Sequence, residues 1–358
     1  MRILVIKLSS IGDIVHALPA LAAVHRALPD AEISWVVERR AAEILRDNPL
    51  LHHLIEVDTK ALRRWPVSGE TLLATRQQLR RLRASAFDAA IDLQGLLKSA
   101  LIARLSRSRR TYGFAREILR EPASRFLVKE TIHIPPRSHI IAKNLALVAG
   151  ALDINVPRHS RDYVFPIGIK KEHEREAEAV MRSVRGDYAI LNPGGGWPTK
   201  LWDAEKFGAL ADGLWTHHNL QSIITYGPGE ESLAERVMQA TQSGRALAAK
   251  LSLKGFFALA QHAAVYVGGD TGPTHLAVAA GAPIVGLFGP TEWNINGSPR
   301  AEDVCVERMD IECRADCYRR ACSNWICMDI EVGRVLAAAS ERLQRAQKFA
   351  KLESVGVA

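Results

Sequence analysis

Short apolar runs alternate with helical stretches from the first residues of the chain, and the alternation starts again near residue 188. Residues 3–6, 33–37, 55–57 and 89–93 read as strands. Residues 14–28, with Pro19 as an early kink or boundary, 41–47 and the basic stretch 68–84 read as the helices between them. A charged helix over 171–185 opens the second series, whose strands are 188–192, 221–226, 263–267 and 283–288. Residues 330–352 close the chain as a helix. Buried strands that alternate with helices predict a parallel sheet covered on both faces. A chain of 358 residues has room for two such domains. Pro157, Pro166 and Gly168 punctuate the stretch between Asp153 and Lys171. The expected division is therefore 1–165, 166–335, and a C-terminal helix 336–358 placed to pack back on the first domain. The fold class is α/β: two Rossmann-like, doubly wound domains facing a central cleft, with ligands beyond the carboxyl ends of the strands.

Composition narrows the function. No apolar run is as long as a membrane-spanning helix, and residues 3–6 meet Lys7 too soon to form the core of a secretory signal. The expectation is a cytoplasmic protein. Its net charge of +8 is uneven: residues 1–165 hold 26 Lys and Arg against 16 Asp and Glu, and the remainder holds 21 against 23. The basic half is expected to face an anionic glycolipid or a membrane surface, unless it is simply a solvated face. Nucleic acid is disfavoured, because aromatics make up only 6% of the chain and no binding signature accompanies the charge.

Two strand-to-helix turns carry chemistry. In the later one, Gly268-Gly269-Asp270-Thr271-Gly272-Pro273-Thr274-His275 joins a buried strand to a helix. Glycines let a ligand approach the backbone, while Thr271, Thr274 and the helix start favour a phosphate. A plain turn, with His275 as a packed core histidine, is the structural alternative. In the first turn, Lys7-Leu8-Ser9-Ser10-Ile11-Gly12-Asp13-Ile14 has one glycine where a dinucleotide fingerprint needs three. A dehydrogenase is therefore disfavoured. Asp13 is left as a carboxylate able to take a proton from an attacking hydroxyl, or as a first-turn acid favoured by the helix dipole. Asn192-Pro193-Gly194-Gly195-Gly196-Trp197-Pro198-Thr199-Lys200 offers backbone amides, notably at Gly195 and Gly196, and a point charge for a pyrophosphate. Trp202 reads as packing. Glu230 and Glu231 compete to hold ribose hydroxyls.

The opening, residues 2–20, resembles the start of the lipopolysaccharide heptosyltransferases of glycosyltransferase family 9, most of all those of the heptosyltransferase I kind. So do 35–38, 92–99, 120–124, Asp270-Thr271-Gly272 with His275, and 288–291. The resemblance implies the GT-B fold and an inverting transfer without a catalytic metal. It implies Asp13 as general base, Lys200 on the donor phosphate, a glutamate at 230 or 231, and Asp270, Thr271, Gly272 and His275 around the donor. It also implies ADP-heptose as donor and Kdo-lipid A as acceptor, at the cytoplasmic face of the inner membrane. Ser10 and Gly12 are counted with the acceptor. So are Lys60, Arg63 and Arg64, and Arg116 and Arg120 from a stretch, 98–129, with nine basic and two acidic residues.

All five cysteines lie between 305 and 327. Cys313, Cys317, Cys322 and Cys327 have spacing that suits structural zinc or iron, with disulfides and free thiols as alternatives. Competing functions are a GT-B transferase using another nucleotide sugar, a nucleotide-sugar epimerase, a non-catalytic basic protein of the membrane surface, and a metal-binding regulator.

Overall fold

The computed structural model describes residues 1–59, 77, 80, 82–314, 317 and 319–355. Two compact units divide the chain, Met1–Gly168 and Ile169–Ala358.

In the first unit six strands form one sheet: β1 (Arg2–Ile6), β2 (Glu32–Glu38), β3 (His53–Val57), β4 (Ala89–Asp92), β5 (Arg110–Phe114) and β6 (Glu130–Ile132), in the order β3-β2-β1-β4-β5-β6. Every pair is parallel, with Ile3 opposite both Ile33 and Ala89. Ile3, Leu4, Val5 and Ile6 are all buried, as a central strand covered on both faces requires. The helix expected over 14–28 is two helices, α1 (Ile11–Val15) and α2 (Leu18–Ala27). Pro19 sits in the first turn of α2, where its missing N–H has no partner to lose. The stretch 41–47 lies mostly within a 3₁₀ run, Arg39–Leu45. Helices α3 (Leu97–Leu105) and α4 (Ile140–Leu152) also belong to this unit. Most of the basic helix expected over 68–84 falls outside the described residues.

The second unit opens with α5 (Lys171–Met181) and repeats the plan. Strands β7 (Tyr188–Asn192), β8 (Gln221–Tyr226), β9 (Ala246–Lys250), β10 (Val265–Gly269), β11 (Ile284–Phe288) and β12 (Val304–Glu307) lie in the order β12-β11-β10-β7-β8-β9, again all parallel. Helices α6 (Ala204–His218), α7 (Glu231–Ala240), α8 (Leu253–Ala260), α9 (Gly272–Ala280), α10 (Trp293–Asn296) and α11 (Val332–Val355) follow in turn.

The last helix is grouped with the second unit, where Val335, Ala338 and Ala339 join Trp202, Phe207, Leu210 and Leu214 in one core. Gly213 of α6 permits this approach, since a Cβ there would come 2.9 Å from the Leu336 side chain. Arg342 of α11 also pairs with the buried Asp303 at 2.7 Å.

Candidate functional site

In a doubly wound sheet the first strand marks where the winding reverses, and the loops leaving it and its neighbour spread apart to form a crevice. In the second unit those strands are β7 and β10. The first gives the glycine loop and Lys200. The second gives Asp270 and runs straight into α9. Gly268 and Gly269 belong to β10 itself, which runs two residues beyond the expected strand end.

Lys200 Nζ donates to the Asp270 carboxylate at 2.6 Å and to the Asp270 carbonyl at 3.1 Å. An ammonium has three N–H groups, so one is left for a ligand. His275 Nε2 lies 3.1 Å from the other Asp270 oxygen. Burial works to raise the Asp270 carboxyl, but the His275 hydrogen bond and charge, together with Lys200, outweigh it and hold it well below the usual carboxylate range. Stabilisation from such a group is present above its unfolded value, ~3.9, and fades as pH falls toward the folded one. Asp270→Asn is therefore expected to cost about 2 kcal/mol at pH 7. The gap in thermal midpoint from the parent should narrow as pH drops below about 4. An undiminished gap in acid would contradict this.

The structure separates the two glutamates. Glu230 reaches back between the strand-end loops, accepting from Gly195 N at 3.1 Å and from Gly227 N at 2.8 Å. A side chain at Gly194 would run into its carboxylate, which accounts for a glycine there. Glu231 turns away to Lys250 at 2.7 Å and to Gly229 N. Two expectations change in consequence. The Gly195 amide, counted as a pyrophosphate donor, is occupied by Glu230; Gly196 has open space around its α-carbon. Thr274, counted as a donor ligand, is wholly buried. Its hydroxyl donates to the Gly269 carbonyl and meets Tyr266 Oη at 2.9 Å, so it ties the turn to the core. Thr271 caps α9, and Gly272 begins it. Pro273 has no N–H, so the Gly272 and Thr274 amides are the first two at this helix start.

In the first unit the equivalent strands are β1 and β4. Asp13 follows β1. Its Oδ2 accepts from Ser10 N at 2.7 Å and Ser10 Oγ at 3.0 Å, and its Oδ1 lies 3.7 Å from Lys7 Nζ. Asp13 thus fills the first-turn structural role, yet Oδ1 has only the loose Lys7 contact and its side chain is 37% exposed. Gly12 is buried within α1. Lys7 is 2% exposed and donates to the Leu93 carbonyl at 2.7 Å. Gln94 Oε1 accepts from Leu8 N at 3.0 Å and Ser9 N at 3.2 Å, so the loop after β4 fixes the turn after β1. Burial pushes the Asp92 carboxyl up to about 6, against hydrogen bonds from Gly95, Ser99 and Gln94 and the charge of Lys7. Lys7 and Gln94 were assigned no firm role from sequence. The strand order that makes 92–95 a neighbour of 7–13 was the missing signal.

The basic stretch 98–129 is not one patch. Arg110 begins β5 and pairs bidentately with Glu130, and Arg109 pairs with Asp88 just before β4. Arg116 and Arg120 are exposed beyond the other end of β5, the carboxyl end where ligands bind. Only these two of the described acceptor arginines lie on that side. Lys60, Arg63 and Arg64 fall outside the described residues.

All five cysteines are free thiols. Burial pushes the Cys327 thiol up, and Cys313, Cys317 and Cys322 add to it. Charge reaches much farther than the ~2.3 Å of a zinc–thiolate bond. Among the described residues no group of three or more His, Cys, Asp or Glu is arranged to hold a metal ion.

The sequence pattern of glycosyltransferase family 9 (heptosyltransferase) matches residues 75–325. Lipopolysaccharide heptosyltransferase 1 of Pseudomonas aeruginosa is 31% identical over 326 residues, 90% of this chain and 88% of that protein. Among solved structures, the E. coli heptosyltransferase WaaC with ADP superimposes with a TM-score of 0.77 at 26% identity, covering 96% of this chain and all of that one. WaaC with ADP-2-deoxy-2-fluoro heptose gives a TM-score of 0.70 at 27% identity, over 86% and 93%.

Proposed function

The chain belongs to glycosyltransferase family 9, and we propose that it transfers heptose from ADP-L-glycero-D-manno-heptose to Kdo of lipid A, in synthesis of the lipopolysaccharide inner core. Its two doubly wound units are those of the GT-B fold. The observation that carries the donor assignment is the cluster at β7 and β10: Lys200 on Asp270, Asp270 on His275, and Glu230 across the two loops. Relatives of this chain are heptosyltransferases, and one of them is known with ADP and with a fluorinated ADP-heptose.

In this reading the second unit holds the nucleotide. Glu230 takes ribose hydroxyls, and the third N–H of Lys200 meets a phosphate oxygen. The start of α9 adds its partial positive charge where the diphosphate leaves. The first unit supplies the base. Asp13 accepts the proton of the Kdo hydroxyl as its oxygen attacks the anomeric carbon, and the configuration inverts. Arg116 and Arg120 suit the carboxylate and phosphates of the acceptor, since guanidinium forks bind such groups bidentately. No helix among the described residues is long and apolar enough to cross a membrane. We assign the acceptor encounter to the cytoplasmic face of the inner membrane, with the basic first unit toward anionic lipid.

The test incubates purified protein with ADP-heptose and Kdo-lipid A and reads the heptosylated product by mass, with ADP-glucose and UDP-sugars as controls. Product is expected from ADP-heptose, at the same rate with EDTA present. Product from a UDP-sugar alone would overturn the donor, and a loss with EDTA that magnesium restores would overturn the metal-free step.

A further inference from the structure

The end of the cysteine-bearing segment is seated on the donor loop. Thr199 Oγ1 donates to the Arg319 carbonyl at 2.6 Å, and the Trp325 indole N–H donates to the Thr199 carbonyl at 3.2 Å. These two bonds hold the segment on the same turn, Pro198–Lys200, that carries the Lys200 ammonium. Between them the segment delivers a charge. The Arg320 guanidinium carbon lies 5.0 Å from the centroid of the Trp197 ring, and Lys200 Nζ lies 4.4 Å from the same centroid.

Two cations on one indole repel each other unless something negative is shared. Asp270 neutralises Lys200. Among the described residues no carboxylate pairs with Arg320, which is exposed at its tip of the segment. An aromatic face holds a guanidinium in place without satisfying its five N–H groups, so the fork stays available to a ligand. The anion that a strand-end loop and a helix start jointly favour is a phosphate.

We infer that Arg320 is a second cation of the donor site, presented by the cysteine-bearing segment to bind the diphosphate bidentately beside Lys200. This rests on the donor-site reading above and deepens it. A lysine supplies a point charge to one phosphate, whereas a guanidinium fork that reaches one oxygen on each of two phosphates favours the diphosphate over the monophosphate. Arg320 also gives the segment a function that needs no metal.

The experiment measures ADP and AMP binding by calorimetry for the parent chain, Arg320→Ala, Arg320→Lys and Lys200→Ala, with thermal unfolding as the folding control. Arg320→Ala is expected to weaken ADP about 10-fold, the scale of one charge-assisted hydrogen bond, and to change AMP less than about 2-fold, with Arg320→Lys between parent and alanine. Unchanged ADP affinity in Arg320→Ala, while Lys200→Ala loses it, overturns the inference and leaves the donor site standing. Equal losses for ADP and AMP overturn the diphosphate assignment. A parent chain that binds no ADP overturns the donor-site reading, and this inference falls with it.

Discussion

Lys200→Ala is expected to lower kcat by about 10²–10³-fold, the usual cost of removing one preorganised donor from a site of developing negative charge. ADP binding should weaken as well, by about 10-fold or more. The ammonium is held in place before any ligand arrives. It is 13% exposed, fixed by two bonds to Asp270 and lying over Trp197, so it pays little ordering entropy when the diphosphate arrives. Its attraction for the leaving group grows as the glycosidic bond breaks, which places the larger loss in kcat. The variant is expected to fold, because Asp270 keeps its bond to His275. Lys200→Arg retains the charge on a planar head that cannot repeat both Asp270 bonds, and should recover only part of the loss. Steady-state kinetics against ADP-heptose, read beside ADP calorimetry, checks this. A variant within about threefold of the parent in kcat would remove Lys200 from the transition state.

The sequence was legible where a local pattern determined a local result. Continuous apolar runs such as 3–6 and 188–192 became central parallel strands, because only buried strands tolerate apolar residues on both faces. Asp270, Thr271, Gly272 and His275 were readable as a strand-to-helix turn. Four strands gave no such signal. β5 begins with Arg110, β6 has three residues, β9 is mostly alanine, and β12 contains Cys305. These are sheet edges or next to them, where fewer neighbours demand apolar side chains. Within the site, spacing could not choose between Glu230 and Glu231, since the choice depends on two amides, Gly195 and Gly227, brought together by β7 and β8. Nor could it show that Thr274 faces Tyr266 and the Gly269 carbonyl. Charge counting could not divide the stretch 98–129, because a strand carries its two ends to opposite ends of the sheet. Arg110 and Arg116 are six positions apart, yet one precedes β5's span across the sheet and the other follows it.

Asp13→Asn is expected to lower turnover by about 10²–10⁴-fold, the range a positioned general base contributes, with ADP affinity unchanged. The two roles open to Asp13 can be told apart by which atom each needs. The structural role uses Oδ2, which accepts from Ser10 N and Oγ. An asparagine carbonyl oxygen accepts the same two bonds, so the turn and its stability persist. The chemical role needs a carboxylate that can take a proton, and an amide cannot. Asp13→Ala removes both functions and should add about 1 kcal/mol of destabilisation, the scale of a lost helix-end bond. If Asp13 only anchors the turn, Asp13→Asn will turn over like the parent and activity will fall only with stability, in Asp13→Ala. If it is the base, both variants will be equally inactive while only the alanine form melts early. Thermal midpoints measured beside turnover on the same preparations separate the outcomes.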